Sequence, residues 1–511
     1  MPKWAHVVAY EEGQPDVLSA LSCGYPRFFR HPVVVELQAL VQNQIVPPSN
    51  DVAKWEVMVV PTAEVAQRLH RFLLDGPKPA SVKNTDVSVH VVKNVVHAVR
   101  FPRCMGHSAK HFWQHAGEIV SSRHALQLLH ALQHADPSRL AVPRLGQTAK
   151  HRALQARVAA RYFESPLDSD TPVALYPTGM AALFATVRLL QQLRGRDGRG
   201  ILVGFSYVDT LKILSRREWC AQGVHFFPTG SEADLQAVEA IVATEKNVLG
   251  IWTEFPSNPL LSMVQLKRLA ACAHAQGTVL VVDDTVGSFN VNVMQQGCAD
   301  LVVTSLSKIF SGSGTVMAGS VVLNPASVMA DELRTVFAPD VDSFLAEDDV
   351  EVLLEQSENL TERLAKTNAS AATIVERLVT HPVVKDVYYP TRGDTRTLYD
   401  PFLHLPGETD TPRYGPLVSI LLHGGLEPAK AFYDTLTIAK GPSLGTNFTL
   451  ACPYTLLAHY GELDFVETCG VDRNLIRISI GQEDPEDIWA DFEQALAAAS
   501  ALVTPDLAAS K

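Results

Sequence analysis

The chain has 511 residues, 47% hydrophobic and 19% charged, which excludes wholesale disorder and suggests roughly three domains of about 150 residues each. Lys and Arg number 43 and Asp and Glu 55, so the net charge is -12, which argues against nucleic acid or an anionic membrane as the main partner. No apolar run approaches the roughly 20 residues a spanning helix needs. The opening MPKWAHVVAYEEGQ has no apolar signal region. Seven scattered cysteines without a C-x-x-C pair fit a reducing cytoplasm better than a disulfide framework or a zinc site.

Residues 1–140 read as an appended α+β domain, with strand-like runs at Val57–Val60 and Val87–Val92 and a helical pattern over Ser121–His134. His107, His111 and His115 would form one stripe on a helix, but there is no H-E-x-x-H, and Phe112 and Trp113 favour a packed or interface helix over a metal site.

Residues 141–360 alternate strands and helices. Val173–Tyr176, Ile201–Phe205, Val248–Trp252, Val279–Val282 and Leu301–Thr304 are short apolar runs that read as buried strands. Helix-length segments lie between them, among them Met180–Leu193, Glu232–Thr244 and Leu266–Gln276. That alternation predicts an α/β domain on a mostly parallel sheet, with the ligand beyond the carboxyl ends of the strands. From Glu347 a long helical stretch reaches about Leu378. Residues 361–511 then form a smaller α+β domain, with strands near Val387–Tyr389, Leu417–Leu422 and Leu475–Ile480 and a last helix over Pro485–Ala499.

The residues just after the strands carry the chemistry. Asp283 and Asp284 follow VLVV, where a carboxylate faces the crevice or simply caps a turn. Lys308, in LVVTSLSKIFSGSG, is placed as a desolvated amine able to form a Schiff base, although a snorkelling surface lysine is the ordinary alternative. Thr178-Gly179 sits between a strand and a helix, where free amides suit a phosphate. Tyr207 can stack on a flat ring or serve the core, and Asn258 lies in the polar turn TEFPSNP. Arg477, inside LIRISIG, needs an anionic partner, for which a carboxylate is the natural fit. Together these supply what pyridoxal phosphate acting on an amino acid requires.

Order and spacing resemble the Cys/Met-metabolism family of pyridoxal phosphate enzymes. The matching motifs are Gly179-Met180, Tyr207, Ser257-Asn258-Pro259, Asp283 with Thr285, Ser305-x-Ser307-Lys308, Ser443-Leu444-Gly445 and RISIGQEDPEDIWADFEQAL around Arg477. The stretches CGYPRFFRHP, FWQHAGE and AKGPSLGTNFTLACPYTLLAHYGELD resemble the larger fungal cystathionine γ-synthases, which carry an extra amino-terminal domain. The resemblance implies a fold-type I transferase with pyridoxal 5'-phosphate as cofactor and no metal. Lys308 would hold the cofactor as a Schiff base, and Asp283 would pair with the pyridinium nitrogen. Tyr207 would stack on the ring, and Asn258 would bond its phenolic oxygen. Gly179, Met180, Ser305 and Ser307 would cup the phosphate, while Arg477, with Ser443 nearby, would take the substrate α-carboxylate.

The implied reaction is γ-replacement on an O-acyl-L-homoserine through a vinylglycine ketimine, with the L-cysteine thiol as nucleophile. A carbon nucleophile such as a β-keto acid, a lyase-type elimination and a catalytically dead homologue are the alternatives. The family places a Tyr-x-Arg pair from a neighbouring subunit on the phosphate, which implies a homodimer or homotetramer with shared sites. Arg144 matches the arginine, but the tyrosine position is Val142, and Arg123 is a rival. Asp284 replaces a usual Asn, and Ser313-Gly314-Thr315 departs from the fungal loop pattern, which puts the nucleophile in doubt more than the cofactor.

Overall fold

The computed structural model describes residues 1–22, 24–46, 54–133, 145–146, 148–163, 172–337, 343–403 and 413–503. Arg144 lies outside them. Three sheets organise the described residues.

The first sheet is antiparallel, with β1 (Trp55–Val60), β2 (Ser88–Val92) and β3 (Val96–Pro102) in the order β1–β3–β2. It shares one continuous core with the next unit. Trp219 is the joint, stacked on Phe72 at 4.9 Å and tilted against Phe184, also at 4.9 Å. The buried Glu118 carboxylate ties the same contact, accepting two hydrogen bonds from Arg68 at 2.8 and 2.7 Å and pairing across it with Arg188 at 3.7 Å.

The second sheet has seven strands: β4 (Val173–Tyr176), β5 (Arg199–Val203), β6 (Val224–Phe227), β7 (Val248–Glu254), β8 (Leu280–Asp283), β9 (Leu301–Thr304) and β10 (Gly319–Leu323). Their order is β4–β10–β9–β8–β7–β5–β6, and only β10 runs antiparallel to its neighbours. β4, β7, β9 and β10 are buried at every position, as a sheet covered on both faces requires. The carboxyl ends of β5, β7, β8 and β9 converge on one crevice.

The expected long helix after Glu347 is two helices, Glu347–Gln356 and Leu360–Thr380. Ser357 ends the first, its N–H and hydroxyl both donating to the Leu353 carbonyl at 3.0 and 2.7 Å. Arg157 caps the break by donating to the Leu354 carbonyl and to Ser357 Oγ. A serine that bonds back to the preceding turn competes with helix propagation.

The third sheet holds β11 (Val384–Tyr388), β12 (Leu417–Leu422), β13 (Ala439–Lys440), β14 (Leu450–Pro453) and β15 (Ile476–Ser479) in the order β11–β12–β15–β14–β13. The helix Pro485–Ser500 packs beside it through Phe492 and Leu496. The first helix, Trp4–Glu11, docks here rather than on the first sheet: Trp4 N–H donates to Asp434 Oδ1 at 2.6 Å, and its indole meets the Tyr433 ring edge-on at 6.1 Å. The chain therefore starts on the third unit and passes the crevice on its way to the first. No described helix is long and apolar enough to cross a membrane.

Candidate active site

One cavity at the strand ends is lined by Gly179, Met180, Tyr207, Asn258, Asp283, Ser305, Lys308 and Arg477, all singled out from the sequence. Glu254, Thr285, Tyr25, Arg27 and Phe28 line it as well.

The two consecutive aspartates point to different fates. Asp284 is fully buried beneath the sheet ends, where its carboxylate accepts from the Tyr162 hydroxyl at 2.7 Å and the Thr304 hydroxyl at 2.6 Å. Burial pushes its carboxyl up to about 7. Asp283 lies in the cavity wall, accepts from Thr285 N–H at 2.9 Å, and has no cationic partner among the described residues. Burial raises its pKa too. Beside it in strand register stands Glu254, whose oxygens accept from Tyr207 N–H at 2.5 Å and Asn258 N–H at 3.0 Å. Burial, and then Asp283, hold the Glu254 carboxyl well above the usual carboxylate range. Two buried carboxyls beside one cavity call for a cation there.

Lys308 lines the cavity together with the first turn of the helix Gly179–Arg194. Its Nζ donates to Ser443 Oγ at 3.1 Å, and burial lowers its pKa, with Arg477 and Arg27 adding to the effect and Tyr25 opposing it. The loop behind it is clamped by Arg363, which donates to the carbonyls of Ile309 and Phe310 at 3.1 and 2.7 Å. Thr178 caps the helix by accepting from Ala181 N–H at 2.9 Å. Gly179 and Met180, in the first turn, face the cavity where main-chain amides have no helical acceptor. Gly179 must be small, because a Cβ there would stand 2.7 Å from Ser305 Cβ. Ser305 lines the cavity, whereas the Ser307 hydroxyl is engaged with Ala318, donating to its carbonyl at 3.2 Å and accepting from its N–H at 2.9 Å.

Arg477 on β15 is 4% exposed and has no carboxylate partner among the described residues. It donates to Asn258 Oδ1 at 3.0 Å and to the carbonyls of Pro442 and Ser443 at 2.7 and 2.8 Å, with its guanidinium over the Tyr454 ring. All these acceptors are neutral, so the charge is held ready for an anion.

The segment Tyr25-Pro26-Arg27 was not assigned from sequence. Arg27 is buried, pairs with Asp209 at 2.7 Å and donates to the Tyr207 hydroxyl at 2.5 Å. It thereby holds the one aromatic ring at the site that the sequence did identify. An arginine set between aromatic residues in CGYPRFFRHP was the available signal, and Glu254 carried the same strand-end signal that singled out Asp283. Arg123 is occupied elsewhere, donating to the Thr315 carbonyl at 3.1 Å and to Asp349 at 3.2 Å. In the histidine stripe His107 meets His111 edge-on with centroids 4.1 Å apart, and His111 stacks on His115 at 5.3 Å.

A mostly parallel sheet that turns an uncommitted buried carboxylate and a desolvated lysine toward one crevice defines the class: a fold-type I pyridoxal phosphate enzyme. The cofactor fits the residues present, since a pyridinium N–H would supply the cation Asp283 lacks.

The family model for Cys/Met metabolism PLP-dependent enzymes matches residues 144–497, and that for the fungal trans-sulfuration enzyme N-terminal domain matches residues 33–121. The chain belongs to the Cys/Met metabolism PLP-dependent enzyme family. It is 32% identical to a cystathionine gamma-synthase of Neurospora crassa, over 97% of this chain and 95% of that protein. It is 31% identical to the cystathionine gamma-synthase-like enzyme iboG2 of Amanita muscaria, over 98% and 94%. It is 30% identical to the alanine racemase ungC of Aspergillus violaceofuscus, again over 98% and 94%. Among solved structures, metB from Corynebacterium glutamicum superposes with a TM-score of 0.57 at 26% identity, covering 68% of this chain and 85% of that one.

Proposed function

We propose that this cystathionine γ-synthase-like enzyme catalyses γ-replacement on an O-acyl-L-homoserine, with the thiol of L-cysteine as nucleophile. The observation that carries the reading is the position of Ser443. Its hydroxyl accepts from Lys308 Nζ, and its carbonyl accepts from Arg477. A substrate carboxylate on Arg477 thus lies one residue's width from the lysine amine, with the α-carbon between them.

When bound, pyridoxal phosphate supplies the electron sink that lets protons leave carbon next to the substrate amine. Lys308 is the base. Burial disfavours its ammonium, so Nζ could accept the α-proton and afterwards move a β-proton. Asp283 would hold the ring nitrogen's proton, and Asn258, fixed by Glu254 and Tyr454, would bond the ring oxygen. Tyr207, its own hydroxyl fixed by Arg27, would cover the ring face. Gly179, Met180 and Ser305 would receive the phosphate. The dianion needs a cation as well, and we assign that to Arg144 of a second copy, in a homodimer or homotetramer.

Full-length similarity to a protein named cystathionine gamma-synthase supports the sulfur nucleophile. The loop Ser313-Gly314-Thr315 supports a carbon nucleophile as the second reading, because it begins five residues after Lys308 and differs from the fungal pattern. The test is to supply O-acetyl-L-homoserine with a panel of thiols and β-keto acids and identify products by mass. Cystathionine is expected with cysteine. Release of an α-keto acid and ammonia with every nucleophile would replace the reading by elimination.

A further inference from the structure

The segment that brings Arg27 and Phe28 to the cofactor cavity also walls a second, open pocket of about 510 Å³. Arg30, Arg103 and Lys110 complete its cationic lining, against Glu56 as the one carboxylate. On a chain of net charge -12 that is a marked local reversal. Two of the charges are spoken for: Arg27 pairs with Asp209 at 2.7 Å, and Arg103 leans on Glu56 at 3.6 Å. Arg30 and Lys110 are not. Neither makes a hydrogen bond or ion pair with a described residue. Arg30 instead lies over the Trp113 indole, 5.5 Å from the ring centroid. That ring is itself fixed to the segment by a 3.0 Å hydrogen bond to the Pro26 carbonyl. Glu11, whose charge Lys110 also feels, is pushed up to about 7 by its own burial and so offsets Lys110 only in part near neutral pH. Glu56 is the carboxylate that Arg30 feels, and Arg103 already leans on it, so the half-buried guanidinium on its fixed aromatic face, together with Lys110, leaves the pocket net positive and prepared for an anion.

Because Arg477 takes the α-carboxylate in the reading above, the pocket serves a different anionic group. We propose that it binds a second carboxylate carried by the reactants, on the nucleophile or on the acyl group that leaves. The inference rests on γ-replacement for the identity of those reactants, but the site itself does not.

The test compares the wild-type holoenzyme with Arg30→Gln/Lys110→Gln. Intact melting temperature and visible cofactor absorbance establish that the variant folds and loads. In one arm, O-succinyl- and O-acetyl-L-homoserine are compared with mercaptoethanol as a neutral nucleophile. In the other, mercaptoacetate and mercaptoethanol are compared on the acetyl ester. The KM of one anionic reactant should rise by about tenfold or more while its neutral counterpart stays unchanged. A rise for the succinyl ester assigns the acyl group, and a rise for mercaptoacetate assigns the nucleophile. Unchanged values in both arms, or an equal rise for neutral reactants, overturn the proposal. If no ester reacts with any nucleophile, γ-replacement fails, and calorimetric titration with succinate decides the pocket separately. About tenfold weaker binding in the variant sustains it, and equal binding overturns it.

Discussion

Tyr25 turns the face of its ring to Lys308, with Nζ 4.5 Å from the ring centroid. Neither family model reaches Tyr25, since one begins at residue 33 and the other at residue 144. Burial alone would raise the phenol's pKa, but Lys308 and Arg27 outweigh it and hold Tyr25 below the usual tyrosine range. Tyr25 should therefore contribute an ionisation on the basic side of the pH profile, at lower pH than a free tyrosine. Tyr25→Phe keeps the ring and removes that ionisation. We expect kcat to fall about tenfold to a hundredfold and the basic limb of kcat/KM to move between about pH 7 and 10. Profiles that superimpose would make Tyr25 a packing residue.

Arg477→Ala should raise KM for the amino-acid substrate by about 2–4 kcal/mol of lost charge-paired binding. Arg477→Lys should recover only part, because a point charge cannot make the forked contact. Steady-state kinetics on the ester substrate check both. Unchanged KM with a lowered melting temperature would show that the guanidinium serves only Asn258 and the carbonyls of Pro442 and Ser443.

What could be read in the sequence, and what could not, follows burial and distance along the chain. Most central strands were legible because burial on both faces makes them uniformly apolar, as in β4 and β9, but β10 was missed although equally buried, because it opens on Gly319 and Ser320 and leaves an apolar run of only three residues. β6 was missed because it is an edge strand, only half buried along its length, so Val224–Phe227 lacks that signature. Asp283 was legible as a carboxylate ending a buried strand. Its separation from Asp284 was not, since it depends on Tyr162 and Thr304, which reach Asp284 from other elements. Tyr25 and Arg27 were illegible for the same reason on a larger scale. No local periodicity links them to Lys308 or Tyr207, and only the path of the chain from the third sheet to the first carries them past the crevice.

The aspartate pair makes a prediction for stability. The folded Asp284 carboxyl titrates at about 7, above its ordinary 3.8, so the native state holds that proton more tightly than the unfolded chain. Its contribution to stability is full at pH below the ordinary value and is lost as pH rises through about 7. Asp284→Asn removes this loss. Relative to the wild-type holoenzyme, the variant's melting temperature should therefore gain a few degrees between about pH 5 and 8. Asp283→Asn should instead abolish most activity with little change in melting temperature, because it faces the cavity. The reverse pattern would exchange the roles of the two residues.

The last prediction concerns the cation for the cofactor phosphate. Among the described residues of the cavity wall, the cations are Arg27, Lys308 and Arg477. Arg27 is neutralised by Asp209, Lys308 would serve the cofactor's carbonyl end in our assignment, and Arg477 lies with Asn258 and Ser443. The phosphate end would keep only neutral donors, the amides at Gly179 and Met180 and the Ser305 hydroxyl. A dianion in such a crevice should have a charged partner. Arg144, supplied by a second copy, is our assignment, and mixing two inactive variants tests it. In a dimer of an Arg144→Ala chain with a Lys308→Ala chain, sharing across the interface leaves one site with both lesions and the other intact. Activity should then appear where neither parent has it. If both residues serve one site within a chain, every site carries a lesion and no activity returns. Absence of rescue, with mixed dimers shown to form, would remove Arg144 from the role across the interface.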